Sequence, residues 1–578
     1  MHDDVAQALF SLALISQPPI GEHLQAAIAR EEKIPRTAIN ESERPFPLIV
    51  LKSHQGAPMR SRTKELLGSV LLIVCASTAL GQRSVLTWNY NNARWGANVQ
   101  ETLLTPSNVN STHFGKLFSQ PVDGAIIGKA LYLPNVSVPN KGVHNVVYVA
   151  TMNDTVYAFD ADHNTGTSSI PLWKKRVLPN GATPVPIAVQ GGGGVTGWNQ
   201  VGVVSTPVID ASTGIIYVVA KDYLNGVVSN RLWGLSVTTG AAKFNPVRIA
   251  ATFSSGGKTY TFNNSTQVNR PALLLSYGVI YIAFGSNGIN GAEQGWVIAY
   301  GAATSTSPTP QFRGAFDDEP GRDTAAIWQK GGGPSADSAG NVYVETGDGP
   351  VVAGVNFGQS VLRLNRAGNG LTLGDWFTPY NWASLRSHDL DLNDSVLILP
   401  NQPGLHPYLA IAVGKEGTLY LLNRSKMGHL CSSCTSRDTQ IVQELQRAVG
   451  LETGSLIYWN GRVYSSGMGA PIMAWSLSNG LLSNAPVDQS VKVTGGHSPV
   501  LSANGTTNGI LWQLQGPGTT TSSPLQAFDA ITLRRIYDAA QSAGRDSLPP
   551  FPHFAQLMEV NGKVYVGTNS SLVVFGLL

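Results

Sequence analysis

One unit recurs along this chain: two short strand-like runs of alternating residues joined by a tight polar turn. It appears first in NVVYVATMNDTVYAFDAD (145–162), where Met152-Asn153-Asp154 makes the turn. It returns as GIIYVVAKDYLNGVVSNRLWGLSVTTG from Gly214 and GVIYIAFGSNGINGAEQGWVIAYGAAT from Gly278. Further copies start at GNVYVETGDG (340), LAIAVGKEGTLYLLNRS (409), GRVYSSGMGAPIMAWSL (461), GILWQLQG (509) and GKVYVGTNSSLVVFGLL (562). Aligned on their first strands, the copies place Tyr148, Tyr217, Tyr281, Tyr343, Ile411, Tyr464, Trp512 and Tyr565 at equivalent positions, at intervals of 69, 64, 62, 68, 53, 48 and 53.

Repeats of this length, made of short strands and Gly/Asn/Ser turns, exclude a helical solenoid. Each suits one four-stranded antiparallel blade, so the expected fold is an all-β, eight-bladed propeller, with seven blades as the alternative count. The chain ends on a strand, SLVVFGLL, that nothing follows. An outer strand within Lys116–Val122 is expected to complete that blade and remove the exposed edges. An open β-solenoid leaves two unprotected ends and ranks lower. One helix is expected, TQIVQELQRAV (439–449), as an insertion between units five and six.

The repeats occupy only residues 82–578. All 12 tryptophans and all 18 tyrosines lie after Gly81. Just before, MRSRTKELLGSVLLIVCASTALGQ carries three basic residues, an apolar run and a small-residue ending, the layout of a secretory signal at 59–81. Its apolar run is shorter than the roughly 20 residues a spanning helix needs. Residues 1–58 then read as an upstream start-site artefact or a poorly ordered extension. The expectation is an exported protein, periplasmic or extracellular, with no stable membrane span after signal cleavage. A net charge of +3 implies no nucleic-acid partner. Cys75 would leave with the signal, so Cys431 and Cys434 in HLCSSC are expected to form a short-loop disulfide. Thr435 after the second cysteine excludes haem attachment, and a zinc site with His429 lacks a nearby fourth ligand.

The segment VYAFDADHNTG followed by LWKK (172–175) resembles the repeat of the quinoprotein dehydrogenase-like propellers, whose tryptophan packs between blades; Ala158, Asp160, Gly166 and Trp173 match. AFDAIT (527–532) and LSVTTG (235–240) match in part. Phrases such as VNRPALLLSYGVIYIAFGSNG, DWFTPYNWASL and GKEGTLYLLNR are similar to exported bacterial members with pyrroloquinoline-quinone-like repeats. The resemblance covers roughly residues 85 to 578. It implies pyrroloquinoline quinone at the propeller axis over a calcium ion, an acidic base beside it and, in alcohol dehydrogenases, a ring of two adjacent cysteines. This chain has no Cys-Cys pair and no haem motif, and the calcium-binding Glu/Asn/Asp set finds no matching positions.

Residues just before a propeller's innermost strands line its axial mouth. Proline marks that strand in STPVID (205–210), NRPALL (269–274), GGPSAD (332–337) and HSPVLS (497–502); GKALYL (128–133) and RSHDLDL (386–392) are assigned to the same register. The implied rim offers Asp389, His388 and His497 as candidate catalytic groups and Lys129, Thr206 and Arg270 as candidate cofactor-binding groups. Glu345 and Asp348 of ETGDG are candidate metal ligands. Each has a structural alternative: Arg270 bridging blades through carbonyls, the histidines satisfied in place, Asp389 capping a turn, the two acids forming a plain hairpin. Trp376, Tyr380 and Trp382 suit polysaccharide or peptide binding, or packing between blades. No phosphate loop, Ser-His-Asp motif or HExxH is present. The function expected is binding or scaffolding without catalysis, of a small molecule, polysaccharide or protein at the propeller mouth. The alternative is a pyrroloquinoline-quinone-dependent dehydrogenase of alcohols or sugars.

Overall fold

The structure, a computed structural model, describes residues 83–578 apart from 165–169, 191–197, 287–293, 322–323, 366–369, 495–496, 517–523 and 554. The extension, the signal segment and Gly166 lie outside the described residues.

The repeat becomes eight blades. Every one of the eight aligned positions falls in the second strand of its own antiparallel sheet, from Tyr148 in Gly142–Ala150 to Tyr565 in Lys563–Gly567. All eight side chains are buried. The tyrosines also join blade to blade. Tyr148 donates to the Val237 carbonyl (3.0 Å), Tyr464 to Ala530 (3.0 Å) and Tyr565 to Ala161 (3.1 Å), while the Tyr217 hydroxyl accepts from Ala303 N (2.9 Å). Each partner lies one or two residues past the third strand of the next blade. A buried hydroxyl without a partner costs free energy, so one residue type both fills the sheet interface and fixes the offset between neighbours. Trp173 does the same between blades one and two, its Nε1 donating to Val237 O at 3.0 Å.

The ring closes through the N-terminal side. Phe114–Pro121 pairs antiparallel with Ser571–Leu577, from Phe114 opposite Leu577 to Pro121 opposite Ser571, and completes blade eight. The strand overlaps the closing segment expected, starting two residues before it and ending one residue short of it.

Two sequence expectations are corrected. Residues 439–449 are not helical: Gln443–Leu445 is the outer strand of blade five, flanked by turns. Its apolar residues serve two sheet faces, Ile441 packing in one core cluster and Val442, Leu445 and Ala448 in another, which mimics a helical stripe in sequence. RSHDLDL is not the innermost strand of blade five. That strand is Leu397–Ile398, and 386–392 is the end of a short helix, Trp382–Ser387, with the approach that follows it.

The segment from Val85 to Asn98 runs around the inside of the ring as a strap and bonds to the innermost strand of every blade. Val85 exchanges two backbone hydrogen bonds with Tyr132 of blade one, and Leu86 O accepts from Ile209 N of blade two. Asn92 Nδ2 donates to Leu275 O of blade three (2.8 Å), and its carbonyl accepts from Ala336 N of blade four. The carbonyls of Ala93, Trp95 and Gly96 accept from Ile398, Tyr458 and Leu501 of blades five, six and seven. Tyr90 Oη and Glu559 of blade eight exchange two bonds at 3.0 Å. Trp88, Asn89, Arg94 and Asn98 are buried inside the ring as a result. Among the described residues no helix is long and apolar enough to cross a membrane.

Candidate functional site

Just above the strap, side chains and peptides at the starts of the innermost strands form a hydrogen-bonded belt from blade one to blade seven. Lys129 N donates to Thr206 Oγ1 (2.8 Å), Leu273 N to Thr206 O (3.0 Å) and Ala272 N to Gly332 O (2.7 Å). Gly333 N donates to Ser395 Oγ (2.7 Å), Ser455 Oγ to Asp394 Oδ1 (2.6 Å) and Ser498 Oγ to Ser455 Oγ (3.1 Å). Buried polar groups demand such partners, and here each partner sits on a neighbouring blade.

Above the belt opens an axial pocket of about 700 Å³. Loops that lead into the inner strands give it Arg270, Lys330, Asn393, Glu452, His497 and His553; turns that follow the second strands give it Asp348, Lys415, Met468 and Gly516. Trp328 forms part of the wall. The floor meets the strap, where Trp88 Nε1 donates to Oε1 of the pocket residue Gln556 at 3.2 Å.

Both lysines of the pocket are paired with carboxylates. Lys415 Nζ bonds to Asp389 Oδ1 and lies 2.8 Å from Asp391 Oδ2. Burial opposes the Lys415 charge, but Asp391 and Asp389 outweigh it and hold the ammonium above the usual lysine range. Lys330 Nζ lies 2.9 Å from Glu452 Oε2 and donates to Thr453 O at 3.0 Å. Gln329 and Lys330 are consecutive non-glycine residues at positive φ, 46° and 44°, a strained placement that the Gln329 Nε2 bond to Asp394 O (3.2 Å) helps to hold. Arg270 lies over the Trp328 ring at 4.7 Å and donates from Nε to Trp328 O at 3.2 Å; burial pulls its guanidinium down to about 9, against the charges of Asp348 and Glu452.

Of the residues expected at the site, Arg270, Asp348, Asp389 and His497 line the pocket. His497 donates from Nε2 to Gly516 O at 2.8 Å, and burial lowers its pKa to about 4, so it is neutral at pH 7. The other four lie outside the pocket lining. Thr206 is spent on the belt. Lys129 is buried with its ammonium on Asn89 Oδ1 and near the rings of Trp88 (5.2 Å) and Tyr90 (5.6 Å); burial, then the Arg94 charge, push its pKa far down. His388 is exposed at the helix end, Nδ1 at 2.9 Å from Ser384 O. Glu345 is buried beneath, its carboxylate accepting from Asp394 N (2.7 Å) and Val413 N (3.3 Å). Cys431 and Cys434 form a disulfide in the loop between the third and outer strands of blade five, just after His429–Leu430, which pairs parallel with the outer strand of blade four. Trp376 is buried, stacked on His429 at 4.7 Å.

Lys330, Asp391, Lys415, Glu452 and His553 were not singled out from sequence. The glycine-bracketed sequences GDG (347–349), GKEG (414–417), GMG (467–469) and GPG (516–518) recur in the sequence after the second-strand runs and were the signal available for one half of the wall.

No protein-family model matches the chain, and no curated protein sequence matches it. Among solved structures, the quinohemoprotein alcohol dehydrogenase of Comamonas testosteroni superposes with a TM-score of 0.54 at 13% identity, over 86% of this chain and 81% of that one. The quinohemoprotein alcohol dehydrogenase ADHIIG of Pseudomonas putida HK5 gives 0.54 at 13% over 88% and 82%, and a europium-containing methanol dehydrogenase 0.52 at 13% over 88% and 100%. The fold is that of the quinoprotein dehydrogenase propellers. At such identities the likeness concerns the fold alone.

The calcium ion that accompanies the cofactor this fold implies does not fit the residues present. Calcium needs roughly six to eight oxygen ligands. Oxygens of Asp348, Asp389 and Asp391 do lie within 4.8 Å of one another, but the Lys415 ammonium bonds two of these three carboxylates. Asp391 Oδ1 also accepts from Gln359 Nε2 and from Asp348 N (3.1 Å). Glu345 is committed elsewhere, and the disulfide is not among the pocket residues.

Proposed function

We propose that this propeller is a binding module whose axial pocket takes a small polyhydroxylated molecule, a sugar, sugar acid or the end of a saccharide chain. The observation that carries the reading is the wall of matched ions. Lysine–carboxylate pairs present donors and acceptors side by side, the pattern that neighbouring hydroxyls, each donor and acceptor at once, can satisfy. The pocket's volume is in the range of small-molecule sites, and Trp328 and Met468 add apolar surface. Asn393 and Thr494 supply further neutral hydrogen-bonding groups. Lys415 holds Asp389 and Asp391, and Lys330 holds Glu452, which favours binding over proton abstraction.

The test is a thermal-shift screen of the chain with sugars, polyols and sugar acids. The expected result is a saturable rise in Tm with at least one of them, lost in Trp328→Ala. A chain that answers to none of them, and that reduces dye with alcohols once pyrroloquinoline quinone and calcium are added, is a dehydrogenase instead.

A further inference from the structure

We propose that the Lys415 ammonium is the resident cation of the axial pocket, filling the place between Asp389 and Asp391 that a divalent metal would need, so that the ligand is bound without metal. The part of this inference that concerns the ligand rests on the pocket being the binding site proposed above.

The acidic cluster by itself invites a metal. Three carboxylates from two loops, Asp348 after the second strand of blade four and Asp389 and Asp391 ahead of blade five, bring an oxygen each within 4.8 Å of the others. Metal binding would need these oxygens to turn their lone pairs to one point. Those of Asp389 and Asp391 face hydrogens instead. Lys415 Nζ donates to Asp389 Oδ1 and to Asp391 Oδ2, and the other Asp391 oxygen accepts from Gln359 Nε2 and Asp348 N. Gln359 is itself fixed, because its Oε1 accepts from Leu392 N at 3.1 Å. A divalent ion would have to displace the ammonium or stand against its charge.

The lysine is placed by backbone as well as by charge. Lys415 N donates to Asp391 O (2.9 Å), and Lys415 O accepts from Glu452 N (3.0 Å), so its Cα is tied to blade five's entry loop on one side and blade six's on the other. Its side chain is 12% exposed, which leaves it little freedom to swing away. An ammonium carries three donors; two are used by the aspartates, and the third is available to a ligand hydroxyl, carbonyl or carboxylate oxygen in the pocket that Lys415 lines. A point charge with hydrogens thereby does the orienting work of a Lewis-acidic ion, with no ion to lose.

Calcium titration of the full chain by calorimetry tests this. The wild type is expected to show no saturable calcium binding that Asp391→Asn removes. Lys415→Met frees the carboxylates and is expected to gain calcium binding at least tenfold tighter than the wild type, while Lys415→Arg, which keeps a cation, does not. Should Lys415→Met fail to fold, Lys415→Gln serves the same comparison. Saturable wild-type binding abolished by Asp391→Asn overturns the proposal, and so does a folded Lys415→Met or Lys415→Gln chain that gains nothing. The titration contains no organic ligand, so a failure of the sugar reading leaves its outcome intact.

Discussion

Arg94 donates two hydrogen bonds, from Nε at 2.9 Å and Nη2 at 2.7 Å, to the carbonyl of Pro334, 240 residues further along the chain. Its Nη1 donates to Thr87 Oγ1 and Trp88 O, both at 2.8 Å, so a single buried guanidinium locks the strap's own turn and clamps it to blade four. Arg94→Ala leaves these carbonyls facing a void. A loss on the order of 3 kcal/mol is expected, since bonds from charged donors carry more than neutral ones and their acceptors stay buried. Urea unfolding of variant and wild type measures it. A loss under about 1 kcal/mol would mean that the strap merely fills space.

Gly240 adopts φ of 69°, and a Cβ there would stand 2.5 Å from the Trp173 ring. Gly240→Ala combines a left-handed alanine with a clash against the tryptophan that seals blades one and two. About 3 kcal/mol of destabilisation follows, with Tm lowered by several degrees. Near-neutral behaviour would show that the blade interface can slide.

Asp394 gives a pH signature. Burial raises its carboxyl to about 6, with Lys330 and the Ser455 hydroxyl pulling the other way. The native pKa stands above the unfolded one, so the folded chain holds the extra proton between about pH 4 and pH 6, and this group's contribution to stability is full below pH 4 and lost as pH rises through 6. Asp394→Asn removes the titration. Wild-type stability relative to the variant should fall by roughly 2–3 kcal/mol from pH 4 to pH 7, read as urea midpoints at each pH. His497, whose lowered pKa acts with the opposite sign, is common to both chains and cancels. A pH-independent difference would contradict the raised pKa that burial gives this carboxyl.

The disulfide joins residues three apart, so it constrains little unfolded chain. Replacing both cysteines by serine should cost about 2 kcal/mol at most and leave ligand affinity unchanged, because neither residue lines the pocket. A change in affinity would tie the outer loop to the site.

Blade number, the ring-closing strand and the second-strand positions were legible because period-2 alternation and turn residues are local signals, repeated eight times. The helix assigned to 439–449 shows the limit: Ile441, Val442 and Leu445 are spaced as on a helix, yet they are divided between two clusters by an edge that blade five had to fill. The strap went unseen because its partners are single peptide groups on eight different strands, which leaves no periodicity in residues 85–98. The proline-marked starts of the inner strands did point at the axis. Sequence could not tell how deep each lies, and so Lys129 and Thr206, which sit at the belt, were grouped with Arg270 and His497, which rise above it.

The central claim is that the axial pocket binds an oxygen-rich ligand through its own matched charges. Calorimetric titration of the chain with sugars and sugar acids, beside a parallel run with pyrroloquinoline quinone and calcium, tests it most directly. The account predicts saturable one-to-one binding of a polyhydroxylated ligand, unaffected by chelator and weakened at least tenfold in Glu452→Gln. Stoichiometric quinone binding that requires calcium, with no response to any sugar, would contradict it.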